Sequence, residues 1–177
     1  MLLNSSGNDV DFRFVYNGPT AQTKTLRSGA LRRQLGVKLR ALDSCNVLYA
    51  MWRLDASPRV VVSVKHNPNA HEHAACGTAG YRTLTPSAAA PKLAMPKVGE
   101  QHRMRAWLER GELTVEVDET VAWRGPVPNA SLAPFGEAGI RTDNVDVTVV
   151  ELAGSTGPSA RRKRPVRCSQ RSRAPSR

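Results

Sequence analysis

Between His102 and Gly125 the chain alternates apolar and polar residues almost without a break, HRMRAWLERGELTVEVDETVAWRG. A two-residue period sends successive side chains to opposite faces of a strand, whereas a helix would need its apolar residues three and four apart. Met104, Ala106 and Leu108 fall on one face. After Glu109-Arg110-Gly111-Glu112, a turn signal, Leu113, Val115 and Val117 do the same. Asp118-Glu119 makes a second turn, and Val121 and Trp123 follow. The segment predicts a three-strand meander with Leu113, Val115 and Val117 buried and Thr114 and Glu116 on the opposite face.

The same reading extends outward. DFRFVY (11–16), GVKLRAL (36–42), VLYAMWRL (47–54), VVVSVK (60–65), AGIRT (138–142) and VDVTVVEL (145–152) are strand signals, and YRTLTP (81–86) is a short edge strand. Residues 20–33 are polar and basic, a loop or short helix. Residues 66–80 are a loop rich in Asn, Gly, Ala and His, and 87–100 is broken by proline. Eight to ten short strands at this spacing, with no sustained helical period, predict an all-β, antiparallel β-sandwich or jelly roll.

A chain of 177 residues suits one domain. Its net charge of +11 is unevenly spread. Residues 154–177 hold eight basic side chains and no acid, which leaves 18 of the 26 basic residues and all 15 acids in 1–153. The expected organisation is therefore a sandwich domain over 1–153 and a disordered Arg/Ser/Pro-rich tail over 154–177, too poor in apolar groups to offset the entropy of ordering. Residues 161–173 of that tail could contact nucleic acid or another anionic surface. The start, MLLNSSGNDV, has neither the basic nor the apolar region of a signal peptide, and no apolar run is long enough for a membrane span. As written the chain reads as cytoplasmic; a truncated start would make it extracytoplasmic. Cys45 and Cys76 would pair in a disulfide in an exported protein and be free thiols in a reducing cytosol, with Cys168 left over.

The stretch from Gly36 to Leu152 resembles the concanavalin A-like lectin/glucanase superfamily, in its laminin-G-like and sugar-hydrolase-associated branches. The residues that carry the resemblance are GVKLRALDSCNVLYAMWRLD, VGEQHRMRAWLERGELTVEVDETVAW and FGEAGIRTDN, in that order. It implies a jelly-roll sandwich whose relatives bind glycans and in some cases cleave them. The chain departs from the pattern in having little before DVDFRF, which suggests an N-terminally incomplete domain, and in carrying Glu119 where the superfamily often has glycine.

The catalytic motifs are incomplete. Laminarinase-type members set three carboxylates on one strand face; here Glu116 and Asp118 share a face but the next position is Thr120. His66, His71, His73 and Cys76 supply metal-ligating types without a second cysteine pair to complete a structural zinc site, so no metal is expected. There is no Gly-x-Ser-x-Gly elbow, Walker loop or dinucleotide fingerprint, and no cofactor is expected. The chain is read as a non-catalytic binding module, with a tail-driven nucleic-acid partner and a glycoside hydrolase or its remnant as the alternatives. If Val37, Leu39, Leu48, Ala50, Trp52, Leu54, Met104, Ala106 and Leu108 point inward, Arg40, Tyr49, Arg53, Arg105 and Trp107 are among the alternates that point outward. Arginine forks interleaved with aromatic rings suit a glycan, acidic sugars before neutral ones, and these five are the predicted ligand residues.

Overall fold

The computed structural model describes residues 1–129 and 136–155. The described strands are β1 (Asp9–Pro19), β2 (Gln34–Ala41), β3 (Val47–Arg53), β4 (Arg59–Lys65), β5 (Tyr81–Thr83), β6 (Gln101–Glu109), β7 (Glu112–Val117), β8 (Thr120–Pro126), β9 (Glu137–Asp143) and β10 (Val145–Ala153). One helical turn, α1 (His73–Cys76), interrupts the 66–80 loop. The strands form two five-stranded sheets of order β10-β1-β6-β7-β8 and β5-β4-β3-β2-β9, and neighbours within each sheet run antiparallel. The architecture is thus an all-β sandwich.

The alternation explains the layering. From the first sheet Phe12, Phe14, Met104, Ala106, Leu113, Val115 and Val117 are buried; from the second, Leu35, Val37, Leu39, Leu48, Ala50, Trp52, Val60, Val62 and Val64 are buried in the same cluster. His102 joins the layers. Its ring meets Trp52 of β3 edge-on, centroids 5.7 Å apart, and lies 5.9 Å from Phe14 of β1.

Two features differ from the sequence reading. First, β1 does not stop at Asn17-Gly18-Pro19. Its ladder with β10 continues through Gly18–Asp146 and Pro19–Val145 after a register shift, because a bulge absorbs the Gly-Pro irregularity. It is an interior strand, paired with β10 on one side and with β6 on the other. Second, the ordered ties run past residue 153. The Ser155 N–H donates to both carboxylate oxygens of Asp9 at 3.0 and 2.9 Å, and the Ser155 carbonyl accepts from Ser6 N–H at 2.7 Å. The basic run at 161–173 and Cys168 lie outside the described residues.

Both meander turns have two central residues at positive φ: Arg110 (51°) and Gly111 (82°), then Asp118 (47°) and Glu119 (66°). Such turns match the twist of a hairpin but favour glycine or asparagine. Asp118 has a compensating role, since its carboxylate accepts from the Arg103 N–H at 2.9 Å and pairs with His102 Nδ1 at 2.8 Å. Among the described contacts Glu119 makes none of that kind. Glu119→Gly should therefore stabilise the fold by about 1 kcal/mol, read as a shifted urea midpoint at constant slope. In the strand before it, Val115 is wholly buried. Val115→Asp should destabilise by several kcal/mol or prevent folding in the same assay, because its carboxylate would have no partner in the apolar core.

Candidate functional site

The strands that put Leu48, Ala50 and Trp52 into the core put Tyr49, Met51 and Arg53 on the outer face of the second sheet. Gln34 and Lys38 of β2, Val61, Ser63 and Lys65 of β4, and Arg141 and Asp143 of β9 share that face by the same alternation. Tyr49 and Met51 are nevertheless buried. Residues from 20–33 and 66–80 rise on either side and leave a groove of about 370 Å³ above the strands. Arg27 and Arg32 line it from the first segment, His73 and Thr78 from the second, and Tyr81 and Thr83 from edge strand β5. None of the lining residues is Asp or Glu.

The floor is a stack. Tyr49 and Tyr81 lie with ring centroids 6.2 Å apart at 23°, and the Arg141 guanidinium sits 5.0 Å from the Tyr49 centroid. Arg141 is anchored by Asp143 at 3.0 Å, and Asp143 also accepts from Gln34 Nε2 at 2.7 Å. Burial first, then the neighbouring Tyr81, pushes the Tyr49 phenol up to about 12, so it stays neutral at physiological pH. Burial, reinforced by the charge of Arg141, draws the Lys38 pKa down. Tyr81 keeps 45% of its surface exposed and is the aromatic ring a ligand can reach.

The second wall is fastened from beneath. Cys45 in the β2–β3 turn and Cys76 in α1 form a disulfide. Asn46 Nδ2 donates to the Ala70 carbonyl at 3.0 Å, and Asn67 Nδ2 donates to the carbonyls of Cys45 and Ala79, both at 3.1 Å. Lys65, 1% exposed, donates to the carbonyls of Ser44 and Gly77, both at 2.9 Å, and its Nζ lies 5.3 Å from the Tyr81 centroid. Those contacts replace the water that a buried ammonium would otherwise lose at a high cost.

Asp43 organises the turn. Its carboxylate accepts from the N–H groups of Cys45 (2.7 Å) and Asn46 (2.8 Å) and pairs with His71 Nδ1 at 2.7 Å. Burial works against the charged carboxylate, but the hydrogen bonds from His71, Cys45 and Asn46 outweigh it and hold the pKa below the ordinary aspartate value. A depressed folded-state pKa contributes stability above the unfolded value, about 3.9, and loses it as pH falls through the folded one. Asp43→Asn should lower the melting temperature at pH 7 and flatten its decline below about pH 4, measured by calorimetry across pH.

The structure brings together two of the five predicted ligand residues. Tyr49 and Arg53 line the groove. Arg105 and Trp107 belong to β6, in the first sheet, so they face away from the groove on the other side of the sandwich; their side chains pair with each other, guanidinium to ring centroid 4.8 Å. Arg40 sits where the β2–β9 register shifts, at φ 48°, and its Nε donates to Asn8 Oδ1 at 2.8 Å. Alternation gave each residue's face within its sheet, but the two sheets turn opposite outer faces to solvent. Glu116 stands opposite Arg105 on that other face, while Asp118 occupies a turn, so the two carboxylates do not line a common cleft. His71 is paired with Asp43 and Cys76 with Cys45. Among the described residues no group of three His, Cys, Asp or Glu is placed to hold a metal. Arg141 and Tyr81 were within reach of the alternation rule, whereas Arg27 and Arg32 lie in a segment with no period to read.

The two outer faces differ in charge. On the first sheet Arg103 pairs with Asp11, Arg124 with Glu112 at 2.6 Å and Arg13 with Glu151 at 3.4 Å. Charges there are largely matched on the surface. In the groove Arg141 has its aspartate, while the Arg53 Nε, like the Arg13 Nε on the first sheet, is buried with no hydrogen-bond partner; Arg13 has Glu151 at 3.4 Å, whereas no ion pair is described for Arg53.

No protein-family model and no curated protein matches this sequence. Similar solved structures include the carbohydrate binding module CBM66 from Bacillus subtilis, at 10% identity over 85% of this chain and 74% of that one, with a TM-score of 0.47. A tetrameric galectin from the ball sponge Cinachyrella sp. is similar at 9% identity over 87% and 95% of the two chains, TM-score 0.49. CG-16, a homodimeric agglutinin from chicken liver, is similar at 14% identity over 84% and 92%, TM-score 0.43.

Proposed function

We propose that this protein is a non-catalytic carbohydrate-binding module whose ligand lies in the groove over β2, β3 and β4. The observation that carries the reading is the groove's composition: an accessible tyrosine ring, arginine forks, the hydroxyls of Ser63, Thr78 and Thr83, and no lining carboxylate. A saccharide offers hydroxyls to donors and acceptors and an apolar ring face to an aromatic. A glycosidase needs two carboxyl groups across the scissile bond, and the groove lining offers none. The concanavalin A-like resemblance fits the same reading.

The test is a glycan array on the full chain, followed by titration of any hit. Tyr81→Ala should weaken binding by about tenfold or more while the melting temperature changes little, since the ring is nearly half exposed. Trp107→Ala, on the far sheet, should leave affinity unchanged. An array without hits, or a hit weakened by Trp107→Ala and indifferent to Tyr81→Ala, would place the function elsewhere.

A further inference from the structure

Arg53 is out of balance with its surroundings. It stands directly opposite Gln34 on one side and Arg59 on the other in the sheet. Two like charges facing each other across a ladder are destabilising. Arg59 is compensated, since its Nη1 donates to Asp55 Oδ1 at 2.8 Å, and Asp55 also accepts from Ser57 N–H at 3.1 Å. The other nearby carboxylate, Asp143, is taken by Arg141 and Gln34. Arg53 is left with a buried Nε that has no acceptor, and Arg32 and Arg27 bring further positive charge to the same groove. Burial, and after it the charges of Arg32 and Arg59, draw the Arg53 pKa below its ordinary value. A buried donor without a partner carries a desolvation cost that a bound acceptor would relieve.

We infer that Arg53 and Arg32 form the seat for an oxyanion carried by the sugar, a carboxylate or a sulfate, with the saccharide ring extending from there toward Tyr81. This rests on the groove being a glycan site and adds the chemical class of ligand. Nε itself is enclosed, so the Arg53 side chain has to turn toward the groove for the edge bearing Nε to grip a planar anion with two hydrogen bonds. The Tyr81 end supplies the ring contact and the Arg53 end the charge, which orients the ligand along the groove.

The test compares three probes on wild type and Arg53→Gln: a galacturonate oligomer, the same oligomer with its carboxyls reduced to alcohols, and a sulfated galactose oligomer. Wild type should bind each anionic oligomer about tenfold or more tighter than the reduced one at low ionic strength, with added salt narrowing the gap. Arg53→Gln should abolish the preference without lowering the melting temperature, because it also removes the Arg53–Arg59 repulsion. A preference for only one of the anionic oligomers would assign the source of the oxyanion. Equal binding of all three, or a preference that survives in Arg53→Gln, overturns the oxyanion seat and leaves glycan binding standing. If no oligomer binds, the glycan reading fails, and the Arg53 Nε–Hε resonance decides the seat by titration with inorganic sulfate. A saturable shift absent in Arg32→Gln upholds it, and an unmoved resonance overturns it.

Discussion

Everything in this molecule depends on two sheets each surrendering one face to a common apolar layer. Trp52, Phe12, Phe14, Leu39 and Met104 are all within 2% of complete burial, and His102 bridges the layers by touching Trp52 on one side and Phe14 on the other. Burial of apolar area is the dominant favourable contribution to folding, and the strand period makes it available to alternate residues only. The remaining alternates are then displayed outward on two surfaces that cannot see each other. The chemistry open to the chain is set by what it places on each.

The two surfaces are used differently. On the β10-β1-β6-β7-β8 sheet, acids and bases face each other across strands and pair, as in Arg103–Asp11 and Arg124–Glu112. Exposed pairs of this kind contribute little to stability, but they offset much of the local charge. The β5-β4-β3-β2-β9 sheet is covered at both sides by irregular chain, and its arginines exceed the carboxylates available to them. Partial burial strengthens that imbalance, since charges there are less screened by water than on an open face. The net charge of the whole chain conceals this contrast, because much of the excess lies in residues 154–177.

How far the sequence could be read follows from the same physics. Period-2 alternation gave the inward sets on β3, β6 and β7, and on β2 as far as Leu39, beyond which the register shift at Arg40 turns Ala41 toward Tyr49 and Met51; a slip of one position would have buried Arg105 or Glu116. It gave Asp118-Glu119 as a turn, which positive φ at both residues explains. It did not reveal which strands share a sheet. VLYAMWRL and HRMRAWLE look alike as strings, yet one lies under the groove and the other on the opposite face, so Tyr49 and Arg53 were grouped with Arg105 and Trp107. Sheet membership is decided by pairing between segments up to more than a hundred residues apart, as between β1 and β10. The groove walls were less legible still. Arg27 and Arg32 come from aperiodic chain.

The groove contains two kinds of arginine, and the difference bears on how it would recognise anything. Arg141 is held by Asp143, which Gln34 holds in turn, so its guanidinium is fixed against Tyr49 before any ligand arrives. An arginine so fixed shapes the floor and loses little entropy on binding, but part of its charge is already answered. Arg53 has the reverse character: it is partly buried in place, yet its Nε has no hydrogen-bond acceptor, and the nearby Asp55 is bonded to Arg59. On the opposite wall the 66–80 loop is tied down by the Cys45–Cys76 disulfide, by Asn67 and by the Lys65 ammonium, whose donors point to backbone carbonyls and away from solvent. Lys65 therefore shapes the groove by holding the chain from which Tyr81 departs. The division is between groups whose charge has been used to build the groove and those for which no ion pair is described, Arg53 with Arg27 and Arg32, and on the proposed reading a bound acceptor would supply the missing partner there.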